Sequence, residues 1–178
     1  MAAFARMRQA QYAAQERDSA RAITFAEAGL RVRGTNAQTQ VLCARQAALG
    51  YALAGDGGAC ERKLADAYDL VERESPAPPW AGELVTQRHV HTAAARCWLW
   101  LRPSKAIALY ESALREWPRD RARDGGLHQV RLALACAAAG ERDRAEAEGR
   151  RALAIARATK SAIATRELKA LGQTLSAN

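Results

Sequence analysis

Small and bulky apolar residues fall at set places along this chain. In AIALYESALREWP, Ala106 is followed at regular steps by Tyr110, the pair Ala113-Leu114, and Pro118. The same order returns at Ala145, Gly149 and Ala152-Leu153, and at Cys60, Leu64 and Ala67-Tyr68. A weaker version occupies Ala22, Ala26 and Gly29-Leu30. Steps of three and four place these residues on one face of a helix. The recurrences lie about 38, 46 and 39 residues apart, near the length of one helix-turn-helix unit. Runs of β-branched residues with alternating polarity, the strand signal, are absent.

A first helix precedes each of these second helices. RLALACAAAGERDRA sets Leu132-Ala133 and Cys136 on one face, then Gly140, then polar residues. RQAALGYALAGDGGACERK does the same with Ala47-Ala48, Tyr51 and Gly55-Asp56. Glycine takes the left-handed conformation that ends a helix, and the polar residue after it caps the next. In HTAAARCWLWLRPSKA, Leu101 stands where the glycine would be, and Pro103 suits the first turn of the following helix. The pattern predicts one all-α domain over 1–178, with hairpins at about 4–34, 38–74, 82–118 and 125–158, and a capping helix at 161–175. Two connections interrupt it. ERESPAPPWAGE holds three prolines and is expected to run extended, with Trp80 folding back onto the helices. PRDRARDGG reads as a basic loop whose Asp120 and Asp124 serve as caps.

The set Ala-x3-Tyr-x2-Ala-Leu-x3-Pro, preceded by small residues and a Gly-polar turn, resembles the tetratricopeptide (TPR) repeat. Residues 90–118 carry it best, 44–68 and 129–153 well, and 6–30 in degenerate form. No first helix opens on the family's tryptophan, and three units lack its proline, so its peptide-clamp residues do not transfer. The resemblance implies a right-handed TPR-like solenoid of about four helical hairpins plus the capping helix. The order of segments, from GDGGACERKLADAYDLVE through SPAPPW and RDGGLHQVRLALACAAAGERDRAEAEGRRALAIA to SAIATRELKAL, is similar to one group. These are the C-terminal repeat regions of XRE-type helix-turn-helix transcriptional regulators of high-GC Gram-positive bacteria. That resemblance implies a regulatory, ligand-sensing or self-associating module whose DNA-binding domain is not in this chain; the alternative is a stand-alone adaptor for a protein or peptide.

Composition changes the picture little. Alanine is abundant and aromatics make up 6% of the residues, which suits closely packed helices. The net charge is +8, carried mostly by arginine. Acids and bases are interleaved, and Glu27/Arg31, Glu111/Arg115 and Glu146/Arg150 stand four apart with the acid first, the order that supports an exposed helix. The expectation is a solvated charged surface, with nucleic acid reached only through a DNA-binding domain that this chain lacks. Cys43, Cys60, Cys97 and Cys136 are far apart among apolar neighbours, as buried free thiols of a reducing compartment are. MAAFARMRQAQ has no apolar core of a signal peptide and no run reaches membrane-spanning length, so the expected location is the cytoplasm.

Catalytic patterns are missing. His89 and His91 are two apart, so a helix points them about 160° from each other and they do not share a metal. His128 is isolated, and the chain holds no phosphate loop or nucleophile-elbow pattern. The expectation is a non-enzyme without cofactor or metal. By resemblance to helical-hairpin arrays, first helices line a concave groove. That places Arg45, Leu49, Arg88, His91, Trp98, Val130 and Leu134 there, facing a peptide, protein or small-molecule ligand. Arg45, Arg88 and His91 are the stronger candidates, because charged side chains are rarely buried without partners. Phe4 and Met7 on the first helix are expected to need a cover, either preceding repeats or a second copy in a homodimer.

Overall fold

The computed structural model describes residues 1–73 and 85–177. All regular structure among them is helical. The helices are α1 (Ala2–Gln15), α2 (Ser19–Leu30), α3 (Ala37–Leu53), α4 (Gly57–Arg73), α5 (Gln87–Leu101), α6 (Pro103–Arg115), α7 (Ala122–Ala138), α8 (Arg142–Thr159) and α9 (Ala162–Ala177), with a 3-10 turn at Arg119–Arg121. The extended course expected beyond Arg73 and the placement of Trp80 lie outside the described residues. Among those residues, no helix is long and apolar enough to cross a membrane.

One turn is used four times. After α1, α3, α7 and α8 the chain enters the left-handed region at Arg17, Gly55, Gly140 and Lys160. The next amide then donates back five residues: Asp18 to Ala13, Asp56 to Tyr51, Glu141 to Cys136 and Ser161 to Ala156. These bonds satisfy carbonyls that a helix end leaves free. The residue that closes each turn also begins the following helix. Asp18 Oδ1 accepts from the Arg21 amide at 2.9 Å, and Asp56 Oδ1 from Ala59 at 2.9 Å. The α5–α6 connection differs, because Pro103 has no N–H to donate and opens α6 at its first turn.

The chain divides into two compact units, residues 1–101 and 102–178. The division falls inside the hairpin expected at 82–118, at the connection without the recurring turn. In unit 1, α1 pairs with α2, α3 packs on both, α4 pairs with α3, and α5 packs on α3 and α4. Its core is built from small residues. Ala10, Ala26 and Ala47 form one cluster, while Val41, Ala44, Ala67 and Val90 form another with Leu30 and Tyr68 against it. A Cβ on Gly50 would lie 2.8 Å from Ile23 Cγ1, so helices here approach too closely for a side chain. In unit 2, α7 packs on α6, pairs with α8, and carries α9, which also rests on α8. Val130, Ala152, Ala156 and Ala164 form its core, with Leu134 and Leu168 against them.

The basic loop before the last hairpin is shorter than expected. α7 already starts at Ala122, so Gly125 and Gly126 are helical. They are glycines because of packing: an added Cβ would lie 2.7 Å from Trp117 Cδ1 at the first and 2.6 Å from Ile155 Cγ2 at the second. Asp124 is not the N-cap, a place taken by Arg121, but sits in the first turn, where its charge suits the positive end of the helix.

Candidate functional site

The expected groove residues divide between the units. α3 carries Arg45 and Leu49, and its neighbour α5 carries Arg88, His91 and Trp98. Val130 and Leu134 belong to α7 in unit 2. In unit 1 the apolar members are packed: Leu49 is 3% exposed and Trp98 is 7% exposed. The polar members are half-buried. Arg45 acts across the α3–α5 contact, its positive charge favouring the thiolate of Cys97, but that thiol is nonetheless pushed up by its hydrogen bond with Cys60 and by burial. His91 Nδ1 lies 3.4 Å from Tyr68 Oη on α4, and His89 Nδ1 lies 2.9 Å from Thr86 Oγ1, so the two histidines have separate partners. His91 Nε2 and Gln46 Oε1 are buried without a hydrogen-bond partner among the described residues. His91 on α5 thus offers one ring nitrogen and Gln46 on α3 one amide oxygen, with half-buried Arg45 and Arg88 on the same two helices. Such a set suits hydrogen bonding to a polar or acidic ligand group, since a buried polar atom left without a partner is costly.

In unit 2 the expectation is corrected. Val130 is 0% exposed, and the face that it shares with Leu134 is covered by Ala164 and Leu168 of α9. Arg131 fixes that cover. Its Nε and Nη2 donate to Glu167 Oε2 and Oε1 at 3.0 and 2.9 Å. Burial opposes the charge of Arg131, but Glu167 outweighs it and holds the guanidinium more firmly protonated than usual. Met7 is likewise no open interface residue, being 5% exposed inside unit 1, whereas Phe4 is 48% exposed.

Charge pairing is less local than the sequence suggests. Glu146 does meet Arg150, at 3.9 Å. Glu27, however, accepts from Lys63 Nζ at 3.3 Å and Tyr51 Oη at 3.3 Å, and Glu111 pairs with Arg144. Both therefore tie the second helix of one hairpin to the second helix of the next. Glu148, a buried acid that sequence reading passed over, accepts from Gln129 at 2.5 Å and Arg151 at 3.1 Å. His128 packs edge-on against Trp117, with ring centroids 4.6 Å apart, and beside Tyr110. All four cysteines are buried free thiols, and burial pushes Cys43 and Cys136 up to about 11. Among the described residues, no group of three His, Cys, Asp or Glu side chains is placed to hold a metal ion. Comparison of the chain with protein-family models, with curated proteins and with solved structures finds no match.

Proposed function

We propose that this chain is a non-catalytic interaction or ligand-sensing module built from helical hairpins of the tetratricopeptide kind. Its role is that of the regulatory part of a bacterial transcriptional regulator, acting in the cytoplasm. The observation that supports this most is the α3–α5 face of unit 1. Arg45 and Arg88 stand half-buried there, and His91 Nε2 and Gln46 Oε1 are buried with no hydrogen-bond partner among the described residues. A short acidic peptide supplies a carboxylate to accept from His91 Nε2 and a backbone N–H to donate to Gln46 Oε1. The ligand acts by population shift: it favours whichever arrangement of the chain, or of a homodimer, binds it better. The test is fluorescence anisotropy with a set of labelled acidic and apolar peptides of about a dozen residues. Arg45→Glu and Arg88→Glu are each expected to weaken binding about tenfold or more, the scale of losing a charge-assisted contact. Helicity by circular dichroism should stay unchanged. Equal affinity in both variants rules the α3–α5 site out.

A second reading, a stand-alone adaptor for a protein, uses the same face. Its contacts are polar, made by Arg88 and His91, because Leu49 and Trp98 are already packed within unit 1.

A further inference from the structure

Between α8 and α9 lies an open groove of about 450 Å³. Its floor is leucine-rich, with Leu153, Leu168, Leu171 and Leu175, and Leu153 is 37% exposed. Arg150 and Lys169 stand on its rim. The acid there, Glu146, is already engaged by Arg142 at 3.3 Å as well as by Arg150. The rim is therefore basic.

Unit 1 shows how an equivalent groove is filled. Leu30 of α2 occupies the same place in the repeating pattern as Leu153 of α8. It packs against a cluster to which α3 gives Val41 and Ala44, α4 gives Ala67 and α5 gives Val90. The position three residues before each leucine carries the charge. In α2 it is Glu27, which meets Lys63 of α4. In α6 it is Glu111, which meets Arg144 of α8. Twice, an acid at this position receives a base from the second helix of the next hairpin. In α8 the position is Arg150, with a side chain 72% exposed. The sign is reversed, so a helix that meets α8 here as α4 meets α2 through Glu27–Lys63 is matched by bringing an acid.

We propose that the α8–α9 groove docks an amphipathic helix of a partner protein, leucine-sized on one face and acidic along its flank. A second copy of the chain is a poor occupant. The exposed apolar residues of α1, Phe4 and Tyr12, lie among Arg6 and Arg8 on a helix with no acidic residue. Docking α1 here would set bases against Arg150 and Lys169. The site is separate from the α3–α5 face and does not depend on it.

The test uses two lactam-stapled helices, the α4 sequence Gly57–Arg73 and its Lys63→Glu variant, titrated against the whole chain. The Lys63→Glu helix is expected to bind about fivefold tighter, the scale of one surface charge pair, and to shift amides of α8 and α9 in ¹⁵N spectra. Leu153→Arg should weaken it about tenfold. Arg150→Glu should invert the preference between the two helices as read at the α8 and α9 amides, while Arg45→Glu and Arg88→Glu should leave the shifts of those amides as they are. Absence of amide shifts on α8 and α9 overturns the proposal, as does a preference that survives Arg150→Glu. A dimer of the chain alone that Leu153→Arg converts to monomer also overturns it, since a second copy is then the occupant.

Discussion

Leu30 and Leu153 occupy the same place in the repeating pattern, yet one is covered and the other is open. In unit 1, Leu30 of α2 packs against a cluster drawn from α3, α4 and α5, and the Glu27–Lys63 pair ties α2 to α4. In unit 2, α9 lies beside α8, and the groove between them stays open under a basic rim. The difference teaches that a hairpin of this kind is complete only on its inner seam. Small residues such as Ala22, Ala26, Ala145 and Ala152 settle how its two helices meet. The leucine lies at the edge of the hairpin, and in α2 and α6 the acid three residues earlier pairs with the second helix of the next hairpin.

The comparison breaks most severely if α9 is released. Arg131→Ala leaves Glu167 without its bidentate partner against α7, and removing one member of a largely buried ion pair costs about 3 kcal/mol. Urea unfolding should show that loss, and amide exchange should rise first in α9; unchanged exchange in α9 contradicts its role as the cover of Val130 and Leu134. A smaller effect sharpens the contrast between the two leucines. Leu30→Ala should cost about 1–2 kcal/mol, because it removes packed methyl groups, whereas Leu153→Ala should cost under about 0.5 kcal/mol. Equal losses would mean that the α8–α9 groove is already filled in solution.

Each unit also holds a buried thiol. Cys43 in unit 1 and Cys136 in unit 2 are both raised by burial from 9.0 to about 11. A thiol in the unfolded chain ionises first, so between these values the folded chain holds more protons. Stability is therefore present below about pH 9 and falls as the pH climbs toward about 11, by about 1 kcal/mol or more per thiol. Chemical unfolding across that range checks it. Cys43→Ala with Cys136→Ala should flatten the profile, and an equally steep profile in that variant assigns the loss to other groups.

Much of this was legible in the sequence, for physical reasons that particular residues make plain. Ala106, Tyr110 and Ala113 are buried as their spacing predicts, and Gly55 and Gly140 turn where a left-handed residue is needed. Arg17 and Lys160 make the same turn with no glycine to announce it. Gly125 and Gly126 look like loop residues but serve the close approach of Trp117 and Ile155, a three-dimensional cause that no local pattern carries. The spacing of Glu27 and Glu111 suggests pairing along their own helices. Their side chains reach equally well to a neighbouring helix, and packing decides which. Of the expected groove, the cations on α3 and α5 remain half-buried, while Val130 and Leu134 are taken by α9, which the pattern placed only as an end cap.

The most direct test of an interaction module is competitive binding by the whole chain, measured with labelled acidic amphipathic peptides and with duplex DNA as salt is raised from about 50 to about 200 mM. Saturable peptide binding is expected, weakening only modestly over that range as salt screens a few charge contacts, with DNA binding weak throughout. Tight DNA binding that collapses over that range, with no peptide bound, would contradict it and make the arginine excess a nucleic-acid surface.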